Sequence, residues 1–371
     1  MPSLYDPITL GDISLKNRVA MAPLTRNRSP GAVPNDLNMA YYEQRASAGL
    51  IITEGTPISQ QGQGYSDVPG LYTPEAIEGW KRVTDAVHTA GGKIVTQMWH
   101  VGRVSHTALQ PNNAAPVAPS ALNANSKTFI VNPDGTGSFE ATSDPRALEL
   151  SDIADIIEDY RKATRATKEA GFDGIEIHGA NGYLIDEFLR SGSNHRTDQY
   201  GGSIENRVRF ALEVVDAVAG EIGAGRTGIR ISPVTPANGA ADPDPQPLFN
   251  HLVSELAKRN LAFIHVIEGA TGGPRDYQQG DTPFNWDELR ETYRKAGGTG
   301  AWMVNNGYDK DMAEEAVSSG KADIVAFGKL FIANPDLVER FEKNAPLNEP
   351  VKETFYGGGA PGYTDYPSLS Q

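Results

Sequence analysis

Three polar side chains of complementary chemistry, His178, Asn181 and Tyr183, follow the apolar run GIEI at 174–177. The first two can each donate a hydrogen bond, and their spacing of three residues places them on one face of a helical turn. Two donors that converge on one point polarise a carbonyl or nitro oxygen, most strongly when charge develops there in a transition state. The Tyr183 phenol, with an unperturbed pKa of about 10, stays protonated at neutral pH and can supply a proton. We therefore predict a catalytic site that activates an electrophile and carries its own acid.

Two other interpretations apply to a lone histidine such as His178. A histidine at the end of a strand is more often a structural residue than a catalytic one. A metal site is less favoured still, because no HExxH motif, cysteine or cluster of carboxylates accompanies His178. We predict no metal, and the case for chemistry depends on the other residues that the fold brings to the same place.

The chain alternates short, apolar, β-rich runs with amphipathic helical segments, and glycine often precedes the next run. Strands are predicted at 18–22, 50–54, 94–98, 174–178, 228–232, 263–267, 301–304 and 324–327. Helices are predicted at 37–48, 74–90, 151–170, 204–218, 246–259, 285–296, 309–319 and 334–343. Eight such units predict an α/β fold of the (β/α)8 TIM-barrel type. An open doubly wound sheet fits less well, because no glycine-rich dinucleotide turn follows the first strand.

Two segments lie outside this repeat. Apolar pieces at 8–10 and 13–15 predict an N-terminal hairpin that plugs the bottom of the barrel. The long polar loop 101–150 follows strand three, and alternating residues around the turn at 133–135 predict a hairpin within it. We expect that hairpin to form a lid over the barrel mouth; the alternative is a surface elaboration. The whole chain, 1–371, is predicted to be one domain.

The carboxyl ends of the strands in such a barrel converge on one mouth. The side chains collected there combine amides, a hydroxyl, aromatic rings, glycines and cations, which suits a large planar ligand with a phosphate. They are Pro23, Leu24, Thr25, Gly55, Gln97, Trp99, His178, Asn181, Tyr183, Arg230, Asn306, Gly307, Gly328 and Lys329. Barrels often bind phosphate in the loops after strands seven and eight, where Gly307, Gly328 and Lys329 lie. The alternative for these two glycines is the ordinary geometry of a helix start.

Arg230 is a charged residue within the otherwise apolar strand segment GIRIS at 228–232. Arginine is almost never fully buried without a partner, so an anionic group is expected next to it. That group is either a ligand at the barrel mouth or a core carboxylate such as Glu176.

Composition limits the partners. The formal charge of −14 argues against sequence-independent binding to nucleic acid or to an anionic membrane, because both need a basic face. No cysteine is present, so disulfides and thiol nucleophiles are excluded. The N-terminus has no secretory-signal pattern, and no apolar run approaches the ~20 residues of a membrane span. We predict a cytoplasmic protein, monomeric or homodimeric, that acts on small molecules.

The motifs HGANGYL, from 178, and SNHRTDQYGGSIENR, from 193, resemble those of the Old Yellow Enzyme family of flavin-dependent ene-reductases. The resemblance extends from APLTR at 22–26 to FYGGGAPGYTDYP at 355–367. Within the family the pattern is most similar to the bacterial glycerol trinitrate and N-ethylmaleimide reductases. The segment 193–207 also carries alternating charges, which predict a scaffold of ion pairs with Ser203 capping the next helix.

The resemblance implies an NADPH dehydrogenase and ene-reductase with FMN as its cofactor and NADPH or NADH as its reductant. The oxidants would be electrophilic alkenes such as α,β-unsaturated carbonyls, maleimides and nitroalkenes, with nitrate esters or nitroaromatics as further candidates. Cofactor contacts are implied for Pro23, Leu24, Thr25, Gly55, Gln97, Arg230, Asn306, Gly307, Gly328 and Lys329. Substrate contacts are implied for His178, Asn181, Tyr183, Trp99, Tyr65 and Tyr356. Phe355 and Tyr356 would flank the benzenoid edge of the flavin.

Two positions depart from common family patterns. Lys329 stands where arginine is usual, so a point charge replaces a bidentate fork at the phosphate. Asn181 stands where some members have a second histidine. Two other functions remain open at this point: a lyase or isomerase that binds a sugar phosphate, and a flavin-binding protein without turnover, which would not need Tyr183.

Overall fold

Eight parallel strands close into a barrel in the computed structural model, which describes residues 1–280 and 282–369. The eight strands follow one another around the barrel in chain order, and the last, at 324–327, pairs with the first, at 19–21, through Phe327 and Met21. The strands are β1 (Ile8–Leu10), β2 (Ile13–Leu15), β3 (Val19–Met21), β4 (Leu50–Pro57), β5 (Ile94–Trp99), β6 (Val117–Ala118), β7 (Lys127–Val131), β8 (Gly137–Ala141), β9 (Arg146–Ala147), β10 (Gly174–Gly179), β11 (Thr227–Ile231), β12 (Phe263–Ile267), β13 (Ala301–Asn305) and β14 (Ile324–Phe327). The barrel prediction is confirmed, and every predicted barrel strand is present.

Helices surround the barrel and join its strands. They are α1 (Asp36–Glu43), α2 (Pro74–Thr89), α3 (Leu150–Glu169), α4 (Leu184–Leu189), α5 (Ile204–Ile222), α6 (Pro245–Ala257), α7 (Trp286–Lys295), α8 (Lys310–Ser318), α9 (Lys329–Ala333) and α10 (Leu337–Glu342). Their starts follow capping chemistry: the side chains of Thr73, Ser203 and Asp309 accept backbone N–H groups at the starts of α2, α5 and α8. The capping role predicted for Ser203 is confirmed.

Two predicted helices differ substantially in their bounds from the structure, and two short helices were not predicted. The helix predicted at 37–48 ends at Glu43, because the chain then tightens into turns in which the Arg45 N–H donates to the Tyr42 carbonyl. The helix predicted at 334–343 is the shorter α10, which begins only at Leu337 because Pro335 disfavours a helical conformation at Asn334; the preceding α9 was not predicted. The short α4, immediately after Tyr183, was not predicted.

The hydrophobic core has two layers. Inside the barrel, apolar residues such as Ala20, Ile52 and Met303 pack together with Leu10 and Ile13 of the β1–β2 hairpin. That hairpin lies at the amino end of the strands, where the Asp12 N–H donates to the Gly225 carbonyl just before β11. The prediction of a bottom plug is confirmed. The outer and larger layer fills the space between strands and helices.

The long loop after β5 contains the predicted hairpin. Strands β7 and β8 pair antiparallel, with Phe129 opposite Phe139. The hairpin is bound to the loop after β4, because the Ser66 N–H donates to the Phe129 carbonyl and the Val131 N–H donates to the Ser66 hydroxyl. The same long loop supplies the short parallel pair of β6 and β9, which was not predicted.

Two features are absent from residues 1–280 and 282–369. None of their helices is long and apolar enough to cross a membrane. In the same residues, no group of three or more His, Cys, Asp or Glu side chains is arranged to hold a metal ion.

Candidate active site

The carboxyl ends of the barrel strands surround a cavity of about 1090 Å³. Every residue predicted from the sequence as a site residue lines it. They are Pro23, Leu24, Thr25, Gly55, Tyr65, Gln97, Trp99, His178, Asn181, Tyr183, Arg230, Asn306, Gly307, Gly328, Lys329 and Tyr356. The barrel topology thus brings together residues from the whole length of the chain.

The charge of this cavity is opposite to that of the whole protein. Its described lining contains five cationic side chains and neither aspartate nor glutamate, although the chain carries a formal charge of −14. The cations are Arg26, Lys127, Arg230, Lys329 and Lys352. A cleft that is lined by several positive charges and by no negative ones attracts anionic ligands.

Arg230 on β11 is a buried cation at the cavity. Its Nη2 donates to Asn305 Oδ1 over 2.5 Å, and its buried Nε has no hydrogen-bond partner among the described residues. Burial lowers the pKa of the guanidinium to about 10, against the opposing field of Glu176. Glu176 is not an ion-pair partner of Arg230 in the described part of the chain, so the anionic partner expected from the sequence is left to a ligand.

Glu176 instead organises the floor of the cavity. It accepts a hydrogen bond from Gln97 Nε2 over 2.8 Å, and its other oxygen lies 2.7 Å from Nδ1 of the buried His265. Because the side-chain nitrogen of Gln97 donates to Glu176, the side-chain carbonyl oxygen of Gln97 is left to accept a hydrogen bond from a ligand. Neither Glu176 nor His265 was predicted as part of the site.

Gly55 is required by close packing beneath the cavity. A Cβ atom at this position would lie 2.4 Å from Cε3 of Trp99, well inside van der Waals contact. The indole of Trp99 stacks between Tyr65 and His178, with ring centroids 5.5 Å and 5.9 Å away. The glycine thus permits the aromatic wall that Tyr65, Trp99 and His178 form.

The loops after β13 and β14 line the cavity as predicted, but Asn306 uses its side chain differently. Its amide donates to the carbonyls of Glu268 and Ala270 over 2.6 Å and 2.9 Å and accepts from the Gly272 N–H. The side chain therefore ties down the loop after β12. Only the backbone here, where Gly307 has φ +68°, remains to meet a phosphate.

His178 is neutral and oriented. Its Nδ1 accepts the Ala180 N–H over 3.3 Å, so the ring proton is carried by Nε2, which is then a donor for a ligand. Burial first, and the charge of Arg230 second, hold the pKa of His178 well below its usual 6.5. The imidazole thus acts as a neutral hydrogen-bond donor.

The helical turn predicted to join His178 and Asn181 is not present. His178 lies in β10, and Asn181 occupies a left-handed turn with φ +60°. Asparagine tolerates that conformation better than most residues. The two side chains reach the same cavity because the strand ends and the chain reverses, not because of helical periodicity.

Tyr183 is a protonated acid within reach of a second phenol. Its hydroxyl lies 3.1 Å from that of Tyr65, and its ring meets Trp99 edge-on with a centroid distance of 4.9 Å. Burial and the neighbouring Tyr65 raise the pKa of Tyr183 well above 10. The phenol therefore holds its proton at all pH values near neutrality.

The C-terminal segment folds back over the cavity. The buried Arg26 donates to the carbonyls of Phe355 and Gly362, both over 2.8 Å, which clamps the chain after Phe355 against the barrel. Phe355 and Tyr356 consequently line the cavity, as the resemblance implied.

Several lining residues were not predicted. Lys127, Phe129 and Phe139 come from the β7–β8 hairpin, so this hairpin does cover part of the mouth. Asn305, which holds Arg230, and Thr271, from the loop after β12, were also missed. The alternation of KTFIV did signal a two-faced strand, but not which face turns to the cavity. Nothing local in the sequence marks Thr271.

The scaffold predicted at 193–207 is built from ion pairs. Arg196 pairs with Asp198 over 2.6 Å, and Arg207 pairs with Asp242 over 2.8 Å. Nearer the site, the Asp186 carboxylate accepts the Gly182 N–H over 2.9 Å and is bound by Arg190, which fixes the turn before Tyr183.

Comparison with known proteins gives consistent results over the whole chain. Residues 3–348 match the model of the NADH:flavin oxidoreductase / NADH oxidase family. The putative 12-oxophytodienoate reductase 11 of Oryza sativa subsp. japonica is 46% identical over 372 residues, covering 99% of this chain and 97% of its own. Morphinone reductase, solved in complex with tetrahydroNAD, superimposes with a TM-score of 0.93 at 49% identity, covering 100% of this chain and 98% of its own. The old yellow enzyme homologue from Zymomonas mobilis superimposes with a TM-score of 0.92 at 42% identity, covering 99% and 100%.

Proposed function

Because the chain belongs to the NADH:flavin oxidoreductase / NADH oxidase family, among the Old Yellow Enzymes, we propose that it reduces activated carbon–carbon double bonds. As a member it is an FMN-dependent oxidoreductase that draws electrons from a reduced nicotinamide nucleotide. The finer proposal concerns the oxidants and the roles of individual residues. Membership favours this function over the sugar-phosphate lyase or isomerase.

The residues of the cavity fit FMN. The Nε of Arg230 and the carbonyl of Gln97 have no hydrogen-bond partner among the described residues, and they offer a charge and an acceptor to the polar edge of a flavin ring. The hydroxyl of Thr25 offers a donor to the same edge. Gly307, Gly328 and Lys329 would bind the phosphate, with lysine as a point charge in place of the commoner arginine fork. Phe355 would pack against the ring.

When bound, FMN supplies the two-electron chemistry, accepting hydride from the nicotinamide and delivering it to the oxidant. Arg230 would stabilise the negative charge that reduction adds to the flavin, because its own positive charge is held in place by Asn305 and shielded from water.

The substrate oxygen would lie between the Nε2–H of His178 and the amide of Asn181. Both donors strengthen their bonds as hydride reaches the β-carbon and charge moves onto that oxygen. The Tyr183 hydroxyl then gives its proton to the α-carbon, and Tyr65, 3.1 Å away, can return one. Hydride from one face and a proton from the other give trans addition.

One pocket would serve both halves of the cycle. The carboxamide of the nicotinamide can use the same donors, so reductant and oxidant bind in turn, in a ping-pong sequence. We propose NADPH or NADH as the reductant; the morphinone reductase complex with tetrahydroNAD supports NADH.

The proposed oxidants are α,β-unsaturated carbonyls, maleimides and nitroalkenes, with nitrate esters or nitroaromatics as further candidates. The relatives' names, 12-oxophytodienoate reductase and morphinone reductase, denote reduction of oxo compounds and support a carbonyl group in the substrate. An acidic chain of this kind is proposed to act in the cytoplasm, as a monomer or homodimer.

The observation that carries the proposal is the convergence of a neutral His178 donor and a protonated Tyr183 in a cation-lined cavity. The test is anaerobic absorption spectroscopy of the purified protein. We expect a yellow protein that NADPH or NADH bleaches and that a cyclic enone then recolours, with one saturated product per cycle. Bleaching without recolouring by any enone, maleimide or nitroalkene would contradict the proposed oxidants.

A further inference from the structure

We propose that Thr271 is a positioning residue that fixes the orientation of the Asn181 amide and so makes the site select oxidants whose oxygen only accepts hydrogen bonds. This inference rests on the proposed function, in which Asn181 meets the oxidant. It concerns a contact between two loops: Thr271 follows β12, whereas Asn181 follows β10.

The contact determines which end of the amide faces the cavity. The Thr271 hydroxyl donates to Asn181 Oδ1 over 2.7 Å. An asparagine amide has an acceptor end and a donor end, so engaging Oδ1 leaves Nδ2 to point elsewhere. Nδ2 has no hydrogen-bond partner in the described part of the protein, and Asn181 lines the cavity.

Thr271 can act in this way because it is itself held. Its hydroxyl lies 3.0 Å from that of the buried Thr235, and its N–H donates to the same oxygen. Each hydroxyl has one proton: that of Thr271 is donated to Asn181 Oδ1, whereas that of Thr235 can be accepted by the Gly269 carbonyl, 3.1 Å away, or by the Thr271 oxygen. Asn306 fixes the surrounding loop through the Ala270 carbonyl and the Gly272 N–H.

The backbone of Asn181 leaves little freedom except at its side chain. Its N–H donates to the Ser232 hydroxyl over 2.8 Å, and its carbonyl accepts from Asn238 Nδ2 over 2.8 Å. Rotation of the terminal amide by half a turn is the remaining alternative. That rotation would present Oδ1 to the cavity, where it would repel a ketone or nitro oxygen.

The two ligand classes differ in how they tolerate that rotation. A ketone or nitro oxygen only accepts hydrogen bonds and needs the Nδ2 donor. A carboxamide carries both a donor and an acceptor, so nicotinamide can pair with either orientation of Asn181. Loss of the Thr271 hydroxyl should therefore weaken the binding of the oxidant and leave the binding of the reductant nearly unchanged.

The experiment compares Thr271→Val, which removes the hydroxyl at nearly constant volume, with Thr271→Ser, which keeps it. Calorimetric titration of the FMN-loaded protein would measure Kd for cyclohexenone and for nicotinamide. We expect Thr271→Val to raise the Kd for cyclohexenone about tenfold, the factor that one ordinary hydrogen bond contributes. The Kd for nicotinamide should rise less than about twofold. Thr271→Ser should restore the cyclohexenone affinity. Equal weakening of both ligands, or of neither, would overturn the proposal.

A double-mutant cycle with Asn181→Ala separates this positioning role from a general structural one. If Thr271 acts through Asn181, Thr271→Val has no further effect on cyclohexenone binding in the Asn181→Ala background. An undiminished effect there would overturn the proposal. Binding is measured without turnover, so a protein that binds cyclohexenone selectively but never reduces it would contradict the proposed function and leave the positioning role supported.

Discussion

The two halves of the proposed active site, one for the cofactor and one for the substrate, are held in different ways. The cofactor half consists of Gln97, Arg230 and Asn305, which lie in barrel strands and are bonded to other strand residues. The substrate half consists of Asn181, Tyr183 and Thr271, which lie in loops beyond the strands and are bonded from loop to loop. The first half is part of the barrel core, whereas the second is attached to it.

This difference predicts separable effects. A change in the cofactor half disturbs a buried charge that few neighbours can compensate, so cofactor affinity should suffer. A change in the substrate half should alter the binding or reduction of the oxidant while the cofactor stays bound. The reason is that rigid strands position the cofactor, whereas adaptable loops position the oxidant.

The largest expected effect lies in the substrate half. Tyr183→Phe removes the proposed acid, and we expect alkene reduction to slow by roughly 10²-fold or more. Reduction by NADPH or NADH should be nearly unchanged, because hydride transfer to the cofactor needs no proton from Tyr183. Stopped-flow absorbance would measure each half-reaction separately. If both half-reactions slowed by the same factor, the assignment of Tyr183 as the acid would be wrong.

The next effect tests the cofactor half. Arg230→Met removes the buried cation, and we expect FMN to bind about ten- to a hundredfold more weakly, the range of a charge-assisted hydrogen bond. Fluorescence titration of the apoprotein with FMN would measure this affinity. Arg165→Met, which removes a surface arginine with a side-chain exposure of 52%, is the matched control and should bind FMN normally. Unchanged FMN affinity in Arg230→Met would place the cofactor elsewhere.

A smaller effect is expected at the lid. Phe139 is exposed but packs against Phe129, with ring centroids 5.4 Å apart, above the cavity. Phe139→Ala should raise KM for bulky oxidants by roughly two- to tenfold, the value of one aromatic pair, and leave FMN affinity unchanged. Steady-state kinetics with a small and a bulky enone would show it. Loss of FMN from this variant would mean that the lid belongs to the cofactor half.

The smallest effect concerns pH. The pKa of His178 is held well below 6.5, so this imidazole should stay neutral as the pH falls from 8 to about 6. The rate constant of the oxidative half-reaction should then show no inflection near pH 6.5. An inflection there that disappears in His178→Asn would mean that the imidazolium forms and that burial does not control it.

In each half the sequence predicted the residues that meet a ligand and missed the residue that holds them, which is Asn305 in the cofactor half and Thr271 in the substrate half. Strand periodicity and the barrel topology determine which residues stand at the strand ends, so Gln97 and Arg230 could be placed without a structure. Loop-to-loop bonds such as that between Thr271 and Asn181 join residues 90 positions apart and leave no local pattern. The helical turn predicted at Asn181 was wrong because the backbone of Asn181 adopts a left-handed conformation, so helical spacing does not relate this residue to His178.

Two other misses had different physical causes. Pro335 does mark the break between α9 and α10, so that correction was within reach of the sequence. The role of the Asn306 side chain could not be predicted from the sequence, because an asparagine there could face either a phosphate or a neighbouring loop. Only the observed hydrogen bonds to the Glu268 and Ala270 carbonyls show that it binds the loop.

The most direct test of the central claim is the origin of the two hydrogens in the product. An α-substituted cyclic enone would be reduced in D₂O with unlabelled NADH or NADPH, and the product examined by NMR. The account predicts one deuterium, at the α-carbon, on the face opposite the hydrogen added at the β-carbon, because Tyr183 exchanges with solvent and the hydride does not. Deuterium at the β-carbon, or both hydrogens on the same face, would contradict hydride delivery from the cofactor half and proton delivery from the substrate half.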